Sequence, residues 1–190
     1  MTQQQLHTAL NSNRLSKQRI MELVDILIHK PQLTGSLLQE VFQQDREDNF
    51  NASWVFDHLM RERLIYLLPH LETFSKGLST LKSESVIRPM SHICELCTIA
   101  YFKNKDMAFQ QQITSEQLER IMTVCFDWLI GNHKVAAKVF AMTSLYWLGM
   151  KYDWVHTELK IILEQNIHKG TAGYKFRAGK ILSELRGLHV

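Results

Sequence analysis

Cys94-Glu-Leu-Cys97, with His92 two residues upstream, has the spacing at which two thiols can share a metal ion or form a redox pair. A structural zinc needs four tetrahedral ligands, and no second Cys-x-x-Cys or Cys/His pair completes the set. With Cys125 the count is three, which builds no disulfide framework and suits a reducing compartment. Inside a helical run such thiols read as small buried hydrophobes. Nine histidines are many for 190 residues, yet none falls into a His-Glu-x-x-His spacing. His29, His133 and His168 fall at expected helix ends, where an imidazole can serve the last carbonyls, and His70 and His156 fall near helix starts. No nucleophile–base pair, phosphate-cradling loop or paired carboxylate stands out. The reading is a protein without catalytic residues, metal or cofactor.

The basic residues carry more information. The net charge is +3, and residues 166–190 alone hold five Lys or Arg against Glu184, a net of +4 where the first 165 residues sum to −1. Any attraction for an acidic partner therefore leans on the last helix. There Arg177, Lys180 and Glu184 share one face, and Tyr174, Ala178, Ile181, Leu182 and Leu185 make the opposite, apolar side. Such a face is either the polar cap a terminal repeat needs or a docking patch. Arg88, Lys138 and Arg177 also recur at one position of a repeated unit, with Ser53 breaking the series. Two readings stand: a ladder contacting phosphate or an acidic peptide, or a structural ladder in which each cation pairs with a neighbouring acid or carbonyl.

The elements that position these residues are helices. Over 114–131 the apolar residues Leu118, Ile121, Met122, Cys125 and Leu129 form one stripe. Thr114 and Gln117 fit a capping box, and Gly131 fits a left-handed C-terminal cap, as do Gly149, Gly170 and Gly187 for later helices. The segments Pro31-Gln-Leu33, Pro69-His-Leu71, Glu116-Gln-Leu118 and Thr157-Glu-Leu159 each open an amphipathic helix, their leucines 38, 47 and 41 residues apart. A second helix follows, with Ser53, Arg88, Lys138 or Arg177 at 20, 17, 20 or 18 residues from the leucine. YLLPHLETF (66–74) and WVHTELKII (154–162) align residue by residue, Tyr66 with Trp154 and Phe74 with Ile162. The spacing predicts an all-α, HEAT/armadillo-like superhelix of about five helix pairs in a single domain over 1–190. Its parts are a cap pair over 1–30 and repeats at about 31–62, 64–102, 114–149 and 153–187, with an insertion at 103–113. One pair cannot cover its own apolar faces, so neighbours must stack. The nearly all-apolar run KVAAKVFAMTSLYWLG (134–149) suits a helix sandwiched between others.

SWVFDHL (53–59), VIRPMSHICEL (86–96), CFDWLI (125–130), YDWVHTELKIILE (152–164) and HKGTAGYKFRAGKIL (168–182) together resemble a family of short bacterial all-helical proteins over nearly the whole chain. The resemblance implies a HEAT-like superhelix and carries no established activity. Some members bear the label adenylosuccinate lyase, but GLSTLKSES (77–85) lacks the Met-Pro and Asn of that superfamily's serine-rich loop. Asp127-Trp128 and Asp153-Trp154 are similar to the acid–tryptophan pairs of HEAT-like alkylpurine DNA glycosylases. Read locally, Asp153 is an N-cap and both tryptophans are wedges between stacked helices.

No secretory leader is legible in MTQQQLHTALN, and no apolar run approaches the ~18 residues of a membrane span. The expectation is a cytoplasmic, non-catalytic adaptor that docks a protein or peptide. The alternative is nucleic-acid binding through Arg88, Lys138, Arg177 and Lys180, and a third reading is an enzyme, glycosylase-like or the lyase of the label.

Overall fold

Hydroxyls and amides placed just ahead of apolar stripes start the helices. In the computed structural model, which describes residues 1–43 and 50–188, Thr2 and Gln5 form a reciprocal capping box ahead of α1 (Gln3–Leu10). Ser16 accepts from the Arg19 amide to open α2 (Lys17–Ile28), and Thr114 with Gln117 forms the expected box ahead of α8 (Ser115–Ile130). The other α-helices are α3 (Thr34–Phe42), α4 (Phe50–Glu62), α5 (Leu71–Gly77), α6 (Glu84–Thr98), α7 (Met107–Gln112), α9 (Val135–Leu148), α10 (Asp153–Asn166) and α11 (Ala172–Gly187). Among the described residues there is no strand, and the protein is all-α. None of these helices is long and apolar enough to cross a membrane.

The chain groups into two compact units, Met1–Ile93 and Cys94–Val190. In the first, α4 packs on α2 and α3, and α3 on α1, around Leu23, Leu27, Leu37, Val55, Phe56 and Leu59. Asn51 ties the α1–α2 turn to α4: its amide donates to the Leu10 and Asn13 carbonyls at 2.8 Å each, and its oxygen accepts from the Leu15 amide at 2.9 Å. Pro69 opens no α-helix directly. Residues Leu64–His70 wind as a 3-10 helix with Pro69 inside it, and α5 starts only at Leu71. Pro31 likewise heads a 3-10 turn before α3.

In the second unit α9 packs against α8, α10 and α11, which explains its apolar circumference. The 103–113 insertion is partly ordered: a π-helical turn at Ile99–Lys103 leads through Lys105, at φ 51°, into the short helix α7. Three local expectations are corrected. Gly131 ends α8 with extended backbone, φ −64° and ψ 174°, and no described glycine has positive φ. Its role is steric, since a Cβ there would lie 2.7 Å from the Asp127 carbonyl oxygen. Asp153 is the first residue of α10 rather than its cap; it adds negative charge in the first turn, with Tyr152 before it. Trp154 is no wedge. It is 52% exposed, stacked on Phe126 with ring centroids 5.7 Å apart, whereas Trp128 is buried as expected.

Candidate functional site

Where α8 and α10 end and α9 and α11 begin, their four termini enclose a cleft of about 430 Å³. Leu129, Ile130, Val135 and Ile162 give it an apolar floor and rim. Around them stand His133, Lys138 and Lys169, with Gln165, Asn166 and Thr171 as neutral hydrogen-bonding groups. The ring of Tyr174 closes the inner end, and burial raises its phenol pKa so that it stays protonated. Gly170 leaves room for that ring, since a Cβ at 170 would meet Tyr174 Cδ1 at 2.5 Å. Among the described residues no carboxylate lines the cleft. The apolar surface continues outward, because Ile130 is 65% exposed and Val135 also faces solvent.

Each terminus reaches this place for a local reason. The Thr171 hydroxyl opens α11 by accepting from the Tyr174 amide, which holds Thr171 and Tyr174 one turn apart. The Asn166 amide donates to the Ile162 carbonyl at 2.8 Å and closes α10. Gly131 and Gly170 allow the sharp exits from α8 and the α10 end that bring His133 and Lys169 beside the next helix.

The four basic residues singled out in sequence have different fates. Lys138 lies in the cleft and forms no ion pair among the described residues. Arg177 is drawn inward, its Nη1 donating to Glu95 Oε1 at 2.9 Å and to the Thr143 hydroxyl. Lys180 is exposed, at 4.0 Å from Glu184 on its own helix. Arg88, in the first unit, is exposed with its guanidinium 5.0 Å above the Trp54 ring. Lys169 was not picked out, and His133 was read only as a histidine at a helix end. Their signal was present in the two turns Gly131-Asn-His-Lys134 and His168-Lys-Gly-Thr171, each of which holds a His-Lys pair and a glycine.

The thiols of Cys94, Cys97 and Cys125 are buried. Burial first, then Cys125 beside it, raises the Cys94 pKa, and burial pushes Cys97 up to about 12. Among the described residues no group of three His, Cys, Asp or Glu side chains is placed to hold a metal ion. A buried ionic cluster in the first unit escaped sequence reading: Asp57, 2% exposed, accepts from Arg61 Nη2 and from His92 Nδ1, each at 2.6 Å. Asp127 and Asp153 both face solvent.

The molecule so defined is an all-α protein with a basic, apolar-floored cleft in its second unit. Comparison with protein-family models, curated proteins and solved structures finds no match.

Proposed function

We propose that the protein is a HEAT-like helical-repeat docking module, acting without catalysis, that takes an acidic and partly apolar peptide segment of another protein in the cleft of its second unit. The observation that carries this reading is the lining itself: Lys138, Lys169 and His133 surround an apolar floor that, among the described residues, contains no carboxylate. A free anion would need no such floor. A segment with Glu or Asp between Leu or Phe residues meets both demands, burying its apolar side chains on Ile130 and Ile162 and its charges near the lysines. Exposed Trp154, stacked on Phe126, supplies a second apolar contact of the kind that anchors interfaces.

A fluorescein-labelled peptide alternating Glu with Leu and Phe should bind the intact protein, and binding should weaken as salt rises. Lys138→Glu should weaken it at least about tenfold, or ~1.4 kcal/mol, with an unchanged melting temperature. A peptide with Lys in place of Glu should not bind. Equal binding of the two peptides, or undiminished binding by the folded variant, would overturn the reading.

A further inference from the structure

On the first unit, α4 carries Phe50, Trp54 and His58 at successive steps of four, so their rings fall in a row along one side of the helix. The centroids are 5.5 Å apart from Phe50 to Trp54 and 6.0 Å from Trp54 to His58, with the rings tilted by 42° and 37°. Two arginines from other elements lie on this row. Arg14, from the α1–α2 turn, sets its Cζ 4.2 Å above the Phe50 ring, and Arg88, from α6, sets its Cζ 5.0 Å above Trp54.

Among the described residues Arg14, Arg88, Arg61 and Lys17 bring positive charge to the row. Arg61 and His92 flank its lower end, and Lys17 is close enough to contribute to lowering the His58 pKa. The acid in direct contact with them is Asp57, buried and already shared by Arg61 and His92. Arg14 and Arg88 are exposed, and neither forms an ion pair among the described residues. An arginine resting over a ring still has N–H groups free to donate to an oxyanion outside. The ring pins an otherwise flexible side chain, so less entropy is lost when the anion arrives.

We infer that this row is a binding site for single-stranded nucleic acid, in which Arg14 and Arg88 engage successive phosphates and the planes of the guanidinium–aromatic pairs stack against bases. Phosphate alone would not require a row of half-buried rings, and an acidic peptide has few planar groups to place on them. Single strands have both phosphates and exposed base faces, and proteins bind them with this combination of cations and aromatic platforms. In a duplex the base faces are already stacked on one another, so the row would be left with phosphates only. The row belongs to the first unit, and its test does not depend on what the cleft of the second unit binds.

The test is fluorescence anisotropy with labelled oligo-deoxythymidylate and oligo-uridylate, a labelled hairpin duplex as comparison, and the intact protein at two salt concentrations. Single strands should bind more tightly than the duplex. Arg14→Ala and Arg88→Ala should each weaken binding about tenfold and flatten the salt dependence by roughly 0.7 in log–log slope. Arg88→Lys keeps the charge without the planar fork, so it should restore the slope more than the affinity. Both arginines are exposed, so the variants should melt like the unmodified protein. No binding at low salt, equal binding of the duplex, or arginine variants that bind single strands undiminished would each overturn the assignment.

Discussion

Asp57 and His58 are neighbours on α4 with opposite environments. Asp57 points inward, and its carboxylate accepts hydrogen bonds from Arg61 and His92. His58 lies against Trp54, and its pKa falls below the ordinary 6.5, first through burial and next through the Arg61 charge, with Asp57 opposing. The neutral imidazole is therefore the form the fold prefers. When pH drops through the unfolded value of 6.5, the unfolded chain takes up this proton before the folded one does. The stability His58 contributes is present above that pH and is lost as pH falls toward the lower folded value. His70, lowered by burial alone, adds a loss of the same sign. His58→Gln should accordingly lose less melting temperature than the unmodified protein between about pH 7.5 and about pH 5.5. Identical losses in the two proteins would place the acid sensitivity elsewhere.

At the scale of elements, glycine positions act through space more than through backbone freedom. Gly149 closes α9 with ordinary helical angles, φ −61° and ψ −18°. The constraint comes from α10, because a Cβ at 149 would lie 1.9 Å from His156 Cδ2. That imidazole is buried and donates from Nε2 to the Tyr146 carbonyl at 2.8 Å. A methyl group would displace the ring and open the α9–α10 junction. Gly149→Ala should cost about 1–3 kcal/mol, read by denaturant unfolding, although alanine is the better helix former. A neutral or stabilising result would mean that His156 moves aside without loss. The caps follow a more local logic. Thr2/Gln5 and Thr114/Gln117 close the same reciprocal box, and each needs only four residues of sequence to do so.

Taken whole, the second unit's interior can be followed through its thiols. Cys94, Cys97 and Cys125 are all buried, and the pKa values of Cys94 and Cys97 are raised, so almost no thiolate exists there at neutral pH. A thiol reagent should leave all three unmodified in the native protein and modify all three once the unit is unfolded. The rate in native buffer then reports opening of the unit. Immediate modification of any one thiol would show that its helix is not packed as described.

The sequence by itself determined the all-α class and the apolar stripes of α8 and α11. The stripe from Leu118 to Leu129, the inner face of α11 and the aligned pairs Leu67/Val155 and Leu71/Leu159 are buried as their spacing predicted. This was legible because helical period and capping are short-range properties, fixed by residues three or four apart. Only the tertiary structure decided which charges are used up and which remain outward. Arg177 meets Glu95 across 82 residues of sequence and His92 meets Asp57 across 35, whereas Lys138 is left in a cleft and Arg88 on a ring. The exposure of Trp154 was decided in the same way, since its local sequence fits a wedge as well as an anchor. Those outcomes depend on how far each helix slides and turns against partners distant in the chain, which a periodic pattern does not record.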